Sequence, residues 1–87
     1  MDLITAQGRL FFEPLDDDWA VYQLGTRETH VVDALGGVLL RRIAEDACPS
    51  EDLAEMVLHE RSGVSRDEAR RYVDSMVGQW RDAGLVT

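Results

Sequence analysis

The amino-acid sequence predicts an α+β fold in which a three-stranded antiparallel sheet is followed by a three-helix bundle. Up to Val32, short stretches of aromatic and β-branched residues alternate with turn residues, as is typical of strands. Beyond that point, apolar residues recur at helical spacing. The change takes place at one joint, where the stretch Glu28–Val32 runs directly into a helix that has Asp33 as its N-cap.

The strands of the first third are predicted to form a meander, because two short connections join three consecutive strands. In a meander the second strand is central, so the third strand is an edge of the sheet. Pro14, near the end of the first strand, also suits an edge because proline has no N–H to donate. The predicted segments are a loose lead-in over residues 1–8, strands Arg9–Leu15, Trp19–Leu24 and Glu28–Val32, and an acidic turn at Asp16–Asp18.

Three helices are predicted in the rest of the chain. Ser50 is the expected cap of the second helix, while Ser65 and Glu68 form a capping box at the start of the third. The Gly36-Gly37 pair weakens the first helix by roughly 1 kcal/mol per glycine, so we expect close packing of that helix against the sheet in compensation. The predicted helices span residues 34–46, 51–61 and 66–83, and the apolar face of the third comprises Ala69, Tyr72, Val73, Met76, Val77 and Trp80.

Composition restricts the classes of function. The 87 residues suffice for a single domain, 1–87. No apolar run approaches the roughly 20 residues of a membrane span, and no signal peptide is visible, so a cytoplasmic location with no membrane partner is predicted. The net charge is −8, with 17 acidic residues against 9 basic residues, all arginine. Such an acidic chain is poorly suited to duplex DNA, whose phosphates require neutralisation.

Catalytic and metal-binding patterns are absent from the sequence. There is no phosphate loop, dinucleotide fingerprint, nucleophile elbow or metal-binding histidine pair. Cys48 is the only cysteine, which excludes an internal disulfide and a thiolate-rich zinc site. The carboxylates fall on predicted exposed faces and turns, so no acid–base pair is apparent. We therefore expect a binding protein that has no cofactor and is not an enzyme.

The predicted edge strand, Glu28–Val32, is the candidate binding surface. Edge strands are usually protected, because their unpaired backbone groups recruit other chains. One interpretation is that the helices or a chain terminus cover this edge. The other is β-augmentation, in which an extended peptide adds a further strand to the sheet. His30 within this strand either makes a pH-responsive contact to a carboxylate of a bound chain, or packs on a neighbour and caps a helix end or a carbonyl.

The order of these elements resembles the PqqD-like family, and within it the HPr-rel-A system peptide chaperones. The resemblance depends on the pattern along nearly the whole chain rather than on any single motif. The matching positions are Val21-Tyr22, Thr29–Asp33, Leu35, Leu39, Asp52–Ala54, Val73, Met76-Val77 and Gly84–Val86.

This resemblance implies a winged-helix-like domain that binds the leader part of a ribosomally made precursor peptide and presents it to a peptide-modifying enzyme. In the family the leader lies along the third strand and against the third helix. Carried over to this sequence, the expected peptide-binding residues are Glu28, Thr29, His30, Val31 and Val32 on the strand, with Arg70, Val73 and Val77 on the helix and Arg66 and Arg71 as rim charges.

Two other functions stay open on the sequence alone. Arginines are concentrated in the last third of the chain, which would suit a winged-helix nucleic-acid binder with its third helix in the major groove. The edge strands or helices could instead pair with a second copy, which would make the domain a homodimerisation module. The arginines in question are Arg61, Arg66, Arg70, Arg71 and Arg81.

Overall fold

The computed structural model describes residues 3–87, and these residues share one hydrophobic core formed between a small sheet and three helices. The strands and helices follow the predicted order, with two additional short strands. In chain order the elements are β1 (Leu3–Ile4), β2 (Leu10–Leu15), β3 (Asp18–Gln23), β4 (Glu28–Val32), α1 (Ala34–Glu45), β5 (Cys48–Pro49), α2 (Ser50–Glu60) and α3 (Arg66–Asp82).

The main sheet is an antiparallel meander in the order β2-β3-β4, as predicted. The bounds of β4 agree with the prediction, whereas β2 and β3 differ from it by one residue at their ends. Val21 in the central strand lies opposite Phe12 on one side and His30 on the other. Val21 is fully buried, so this row of side chains faces the helices. The opposite face of the sheet carries the exposed residues Phe11, Tyr22 and Val31.

The first residues of the chain are not the loose lead-in that the sequence suggested. Strand β1 pairs with β5, and Ala6 forms an isolated bridge with Val86. The backbone N–H of Gln7 donates to Leu85 O at 2.8 Å. The prediction failed because these pairings join distant parts of the chain and leave no local pattern. Met1 and Asp2 lie outside the described residues.

Gln23 is a buried polar residue at the centre of these connections, with 3% of its surface exposed. Its side-chain amide donates to Gly84 O at 2.6 Å and to Gln7 O at 3.3 Å. Its carbonyl oxygen accepts from the Thr26 hydroxyl at 3.2 Å. One side chain of the sheet therefore holds both the end of α3 and the N-terminal segment, with its hydrogen-bonding capacity largely satisfied.

The helix caps agree with the sequence at two of three predicted sites. Asp33 caps α1 by accepting from Gly36 N at 2.6 Å, and Ser65 and Glu68 form the capping box of α3. Ser50, however, is not a cap; it is the first residue of α2, and Pro49 occupies the N-cap position without a side-chain hydrogen bond. Because Pro49 is paired in β5, the chain is extended up to that residue and turns into the helix only afterwards.

The Gly36-Gly37 pair lies where α1 approaches its neighbours most closely, which confirms the predicted close packing. A Cβ atom on Gly37 would lie 2.8 Å from Trp19 Cγ on the sheet. A Cβ atom on Gly36 would lie 3.2 Å from Met76 Cε on α3. The absence of side chains at these positions allows α1 to contact both layers.

Replacing Gly37 with alanine is expected to destabilise the fold. The added methyl group would overlap the Trp19 ring, and relieving such an overlap in a packed interface costs about 1–3 kcal/mol. Gly78→Ala is the matched control, since nothing lies within 4 Å of a Cβ atom there. That variant should be neutral or stabilised by up to about 1 kcal/mol. Urea unfolding followed by circular dichroism measures both; equal stability of the two variants would contradict this packing.

Candidate functional site

The outer edge of β4 is unpaired among the described residues, because β4 pairs only with β3. Successive residues of a strand direct their backbone groups to alternate sides. The N–H of Leu24, one residue after β3, donates to Arg9 O at 3.1 Å, on the β2 side. Gln23 and Val21 therefore direct their backbone groups toward β4.

The same alternation determines which residues of β4 are free. Gln23 and Val21 lie opposite Glu28 and His30, so these two residues use their backbone groups within the sheet. The N–H and C=O groups of Thr29 and Val31 consequently face away from β3. These two residues present the backbone donors and acceptors that an added strand would pair with.

A groove lies beside this edge, between β4 and the C-terminal half of α3. It encloses about 360 Å³ and is lined by both apolar and polar side chains. The lining residues are His30, Val31, Val32 and Asp33 from β4 and its end, Met76, Gln79, Trp80 and Ala83 from α3 and its C-cap, and Leu85.

The end of α3 is fixed against the sheet by its C-terminal cap. Gly84 has φ +77°, and its N–H donates to Arg81 O at 3.0 Å. Leu85 N donates to Trp80 O at 2.8 Å, which completes a Schellman motif. Gly84 O then accepts from Gln23. This chain of contacts positions Trp80 and Leu85 as one wall of the groove.

The structure brings three of the predicted strand residues into this groove: His30, Val31 and Val32. Glu28 and Thr29 belong to the same edge but lie outside the groove lining. Of the predicted helix residues, Val73 and Val77 are 0% and 3% exposed and belong to the hydrophobic core. These two valines are therefore not among the residues that line the groove.

The predicted arginines are also outside the groove lining. Arg66 pairs with Glu55 of α2, with Nη1 2.6 Å from Oε1. Arg70 is half-buried and Arg71 is exposed, and both lie on the N-terminal half of α3. The groove is lined by residues from the C-terminal half of the helix.

The sequence reasoning missed the stripe of α3 that does line the groove. Met76, Gln79, Trp80 and Ala83 follow the spacing i, i+3, i+4, i+7, which is one face of a helix. This signal was present in the sequence, but the same spacing fits a core face. The side chains of Gln79 and Ala83 do not distinguish a groove face from a core face. Only their position opposite β4 identifies them as groove residues.

Two buried polar atoms near the groove have no hydrogen-bond partner among the described residues: His30 Nε2 and the Tyr72 hydroxyl. Burial raises the pKa of Tyr72, and the negative charge of Asp33 raises it further, although Arg61 opposes these effects. Arg61 lies over the Tyr72 ring, 5.9 Å from its centre. Tyr72 is thus close enough to sense the carboxylate at the end of β4.

Other candidate sites offer less. A larger depression of about 610 Å³ lies along α2 alone and contains no strand edge. Among residues 3–87, no three histidine, cysteine, aspartate or glutamate side chains are grouped as a metal site would require. No helix within that range is long and apolar enough to cross a membrane.

The comparisons with known proteins agree with this architecture. The family model for coenzyme PQQ synthesis protein D (PqqD) matches residues 18–86. TbiB1 in complex with the TbiA(beta) leader peptide is similar in structure, with a TM-score of 0.77, 18% identity, and coverage of 94% of this chain and 93% of that chain. Lasso peptide synthetase B1 complexed with the leader peptide gives a TM-score of 0.75, 14% identity, and coverage of 97% and 96%. No curated protein matches the chain.

Cys48 is expected to be unreactive in the folded protein. The side chain is fully buried in β5, and burial raises the pKa of its thiol, so little thiolate is present at neutral pH. At about pH 8, the native protein should react with Ellman's reagent at least about tenfold more slowly than the protein in urea. Equal rates would show that this segment opens readily.

Proposed function

The chain belongs to the PqqD family, and we propose that it is a non-catalytic peptide chaperone. It binds the leader region of a ribosomally synthesised precursor peptide as an additional strand on β4. It then presents the bound precursor to a separate modifying enzyme. Because ribosomal synthesis takes place in the cytoplasm, this is where we place its action.

The observation that carries the proposal is the open edge of β4. Thr29 and Val31 direct their backbone groups away from the sheet, and Val31 also belongs to the lining of the groove beside this edge. Backbone hydrogen bonds to such an edge supply affinity for any extended chain, and side-chain pockets alongside it supply selectivity. The free backbone groups and the side-chain groove that β-augmentation requires therefore lie at the same place.

The similar structures support the proposal through what was bound to them. TbiB1 and lasso peptide synthetase B1 were each solved with a leader peptide. Both share the fold of this chain over nearly its whole length. We place the leader of this protein's precursor between β4 and α3, with its backbone on Thr29 and Val31.

The proposed side-chain contacts differ from those expected from the sequence. His30 and Val32 form the strand side of the groove, and Met76, Gln79 and Ala83 form the helix side. Glu28 flanks the bound segment at the start of β4. We assign no direct peptide contact to Arg66, Arg70 or Arg71, nor to the core residues Val73 and Val77.

Modification itself is assigned to the partner enzyme. Cys48 is buried, and burial raises the pKa of its thiol, which suppresses the thiolate that a nucleophile requires. In this proposal the precursor is the partner that the chain recognises directly, and the enzyme is the partner to which it delivers the precursor.

Peptide binding explains α3 better than nucleic-acid binding does. The helix carries four arginines and four carboxylates, so it has no net charge to neutralise phosphates. Arg66 is in addition paired with Glu55.

Val31→Pro is expected to abolish high-affinity peptide binding. The substitution removes a backbone N–H on the open edge but no hydrogen bond to β3, so the fold should be retained. Random peptides of about 12 residues, selected by mRNA display on the full chain, provide labelled ligands for fluorescence anisotropy. Affinity should fall by about tenfold or more in Val31→Pro.

Val31→Thr is the control for this experiment, because it keeps the N–H and the β-branched shape. It should bind within about threefold of the original chain. A folded Val31→Pro variant with unchanged affinity would show that the edge is not the site. Sedimentation velocity measures self-association in parallel: a dimer that Val31→Pro dissociates would mean that a second copy occupies the edge instead.

Charge substitutions distinguish the two halves of α3. Ala83→Glu places a carboxylate at an exposed position in the groove and should weaken peptide binding by about fivefold or more. The double variant Arg70→Gln/Arg71→Gln changes the other half and should leave affinity within about twofold. If the double arginine variant weakened binding and Ala83→Glu did not, the binding site would instead lie on the N-terminal half of α3.

A further inference from the structure

We propose that His30 selects the bound peptide by hydrogen bonding to an uncharged hydroxyl or amide side chain. This inference depends on the proposed function, because it concerns which leader sequences the groove accepts. It assigns to His30 a role as a specificity-determining residue rather than a packing residue.

The first observation is the unpartnered nitrogen. His30 lines the groove, yet its Nε2 is buried and has no hydrogen-bond partner among residues 3–87. Buried polar groups in folded proteins are nearly always paired, because leaving one unpaired sacrifices its interaction with water. A ligand that enters the groove and pairs with this nitrogen removes that deficit. Because His30 belongs to the strand on which the peptide is proposed to pair, we take a peptide side chain as that partner.

The second observation is the charge of the groove. Among its lining residues, Asp33 carries a negative charge and no lysine or arginine is present. The Asp33 carboxylate already acts as the α1 cap, and its negative charge contributes to the raised pKa of Tyr72. A peptide carboxylate placed here would be close to a like charge with no lysine or arginine in the lining to compensate it. An uncharged hydroxyl or amide avoids this repulsion and can donate to or accept from an imidazole nitrogen.

The third observation gives the spacing of the recognised side chains. His30 and Val32 are two residues apart and lie on the same face of β4. Val32, Met76 and Trp80 are apolar members of the same groove lining. A strand added to β4 also directs alternate side chains to one face. The accepted peptide should therefore carry one polar uncharged residue and one apolar residue separated by a single position.

The test uses the same mRNA-display selection on the complete chain, with His30→Phe and Tyr72→Phe selected in parallel. Tyr72→Phe is the matched control, because it also removes an unpartnered buried polar atom but lies outside the groove lining. The original chain and Tyr72→Phe should enrich the same pattern of serine, threonine, asparagine or glutamine two positions from an apolar residue. His30→Phe should lose the polar preference and keep the apolar one.

A double-mutant cycle then measures the contact. Threonine in the selected peptide is changed to valine, which has the same shape without the hydroxyl. Affinity for the original chain should fall by about three- to tenfold, whereas affinity for His30→Phe should not change. His30→Gln retains hydrogen-bonding capacity and should recover part of the difference.

The outcomes separate this inference from the proposed function. Equal effects of the threonine-to-valine change on the original chain and on folded His30→Phe would overturn the role of His30, and so would selection of acidic residues opposite it. Peptide binding that depends on the Val31 N–H would leave the chaperone function intact in either case. If the original chain enriches no peptides, both proposals fail.

Discussion

The hydrogen bonds of the Gln23 side chain are the constraint on which the rest of the structure depends. This amide is buried in the central strand and donates to Gly84 just beyond α3 and to Gln7 in the N-terminal segment. Each such bond contributes on the order of 1 kcal/mol net, and both are made by a side chain that is itself buried. The end of α3 is therefore fixed relative to the sheet, and with it the wall of the groove formed by Trp80 and Leu85.

The proposed binding surface follows from this placement together with the order of the strands. A meander necessarily leaves its third strand at an edge, and α3 is held beside that edge without covering it. The result is an open row of backbone groups next to a groove lined by both apolar and polar side chains. Backbone pairing at such an edge needs few specific side chains. The fold itself is shared with the two similar structures at only 14–18% identity.

Much of the fold could be predicted because its signals are local. The capping box of Ser65 and Glu68, the Asp33 cap and the bounds of β4 each depend on residues within a few positions of one another. The pairing of β1 with β5 could not be predicted in the same way, since Ile4 and Cys48 meet only in the folded chain. Ser50 also differs from the prediction, because α2 begins at Ser50 itself and Pro49, which is paired in β5, is the N-cap residue.

The sequence by itself determined the α+β class, the meander, the three helices and the edge strand that carries His30, Val31 and Val32. Only the tertiary structure decided which face of α3 meets that strand. Val73 and Val77 have the apolar character of groove residues but are buried in the core, while Met76, Gln79 and Ala83 form the groove wall. Helical periodicity defines the faces of a helix relative to one another. The rotation of the helix about its axis is set by contacts distant in sequence, here the packing at Gly36 and the hydrogen bond from Gln23 to Gly84.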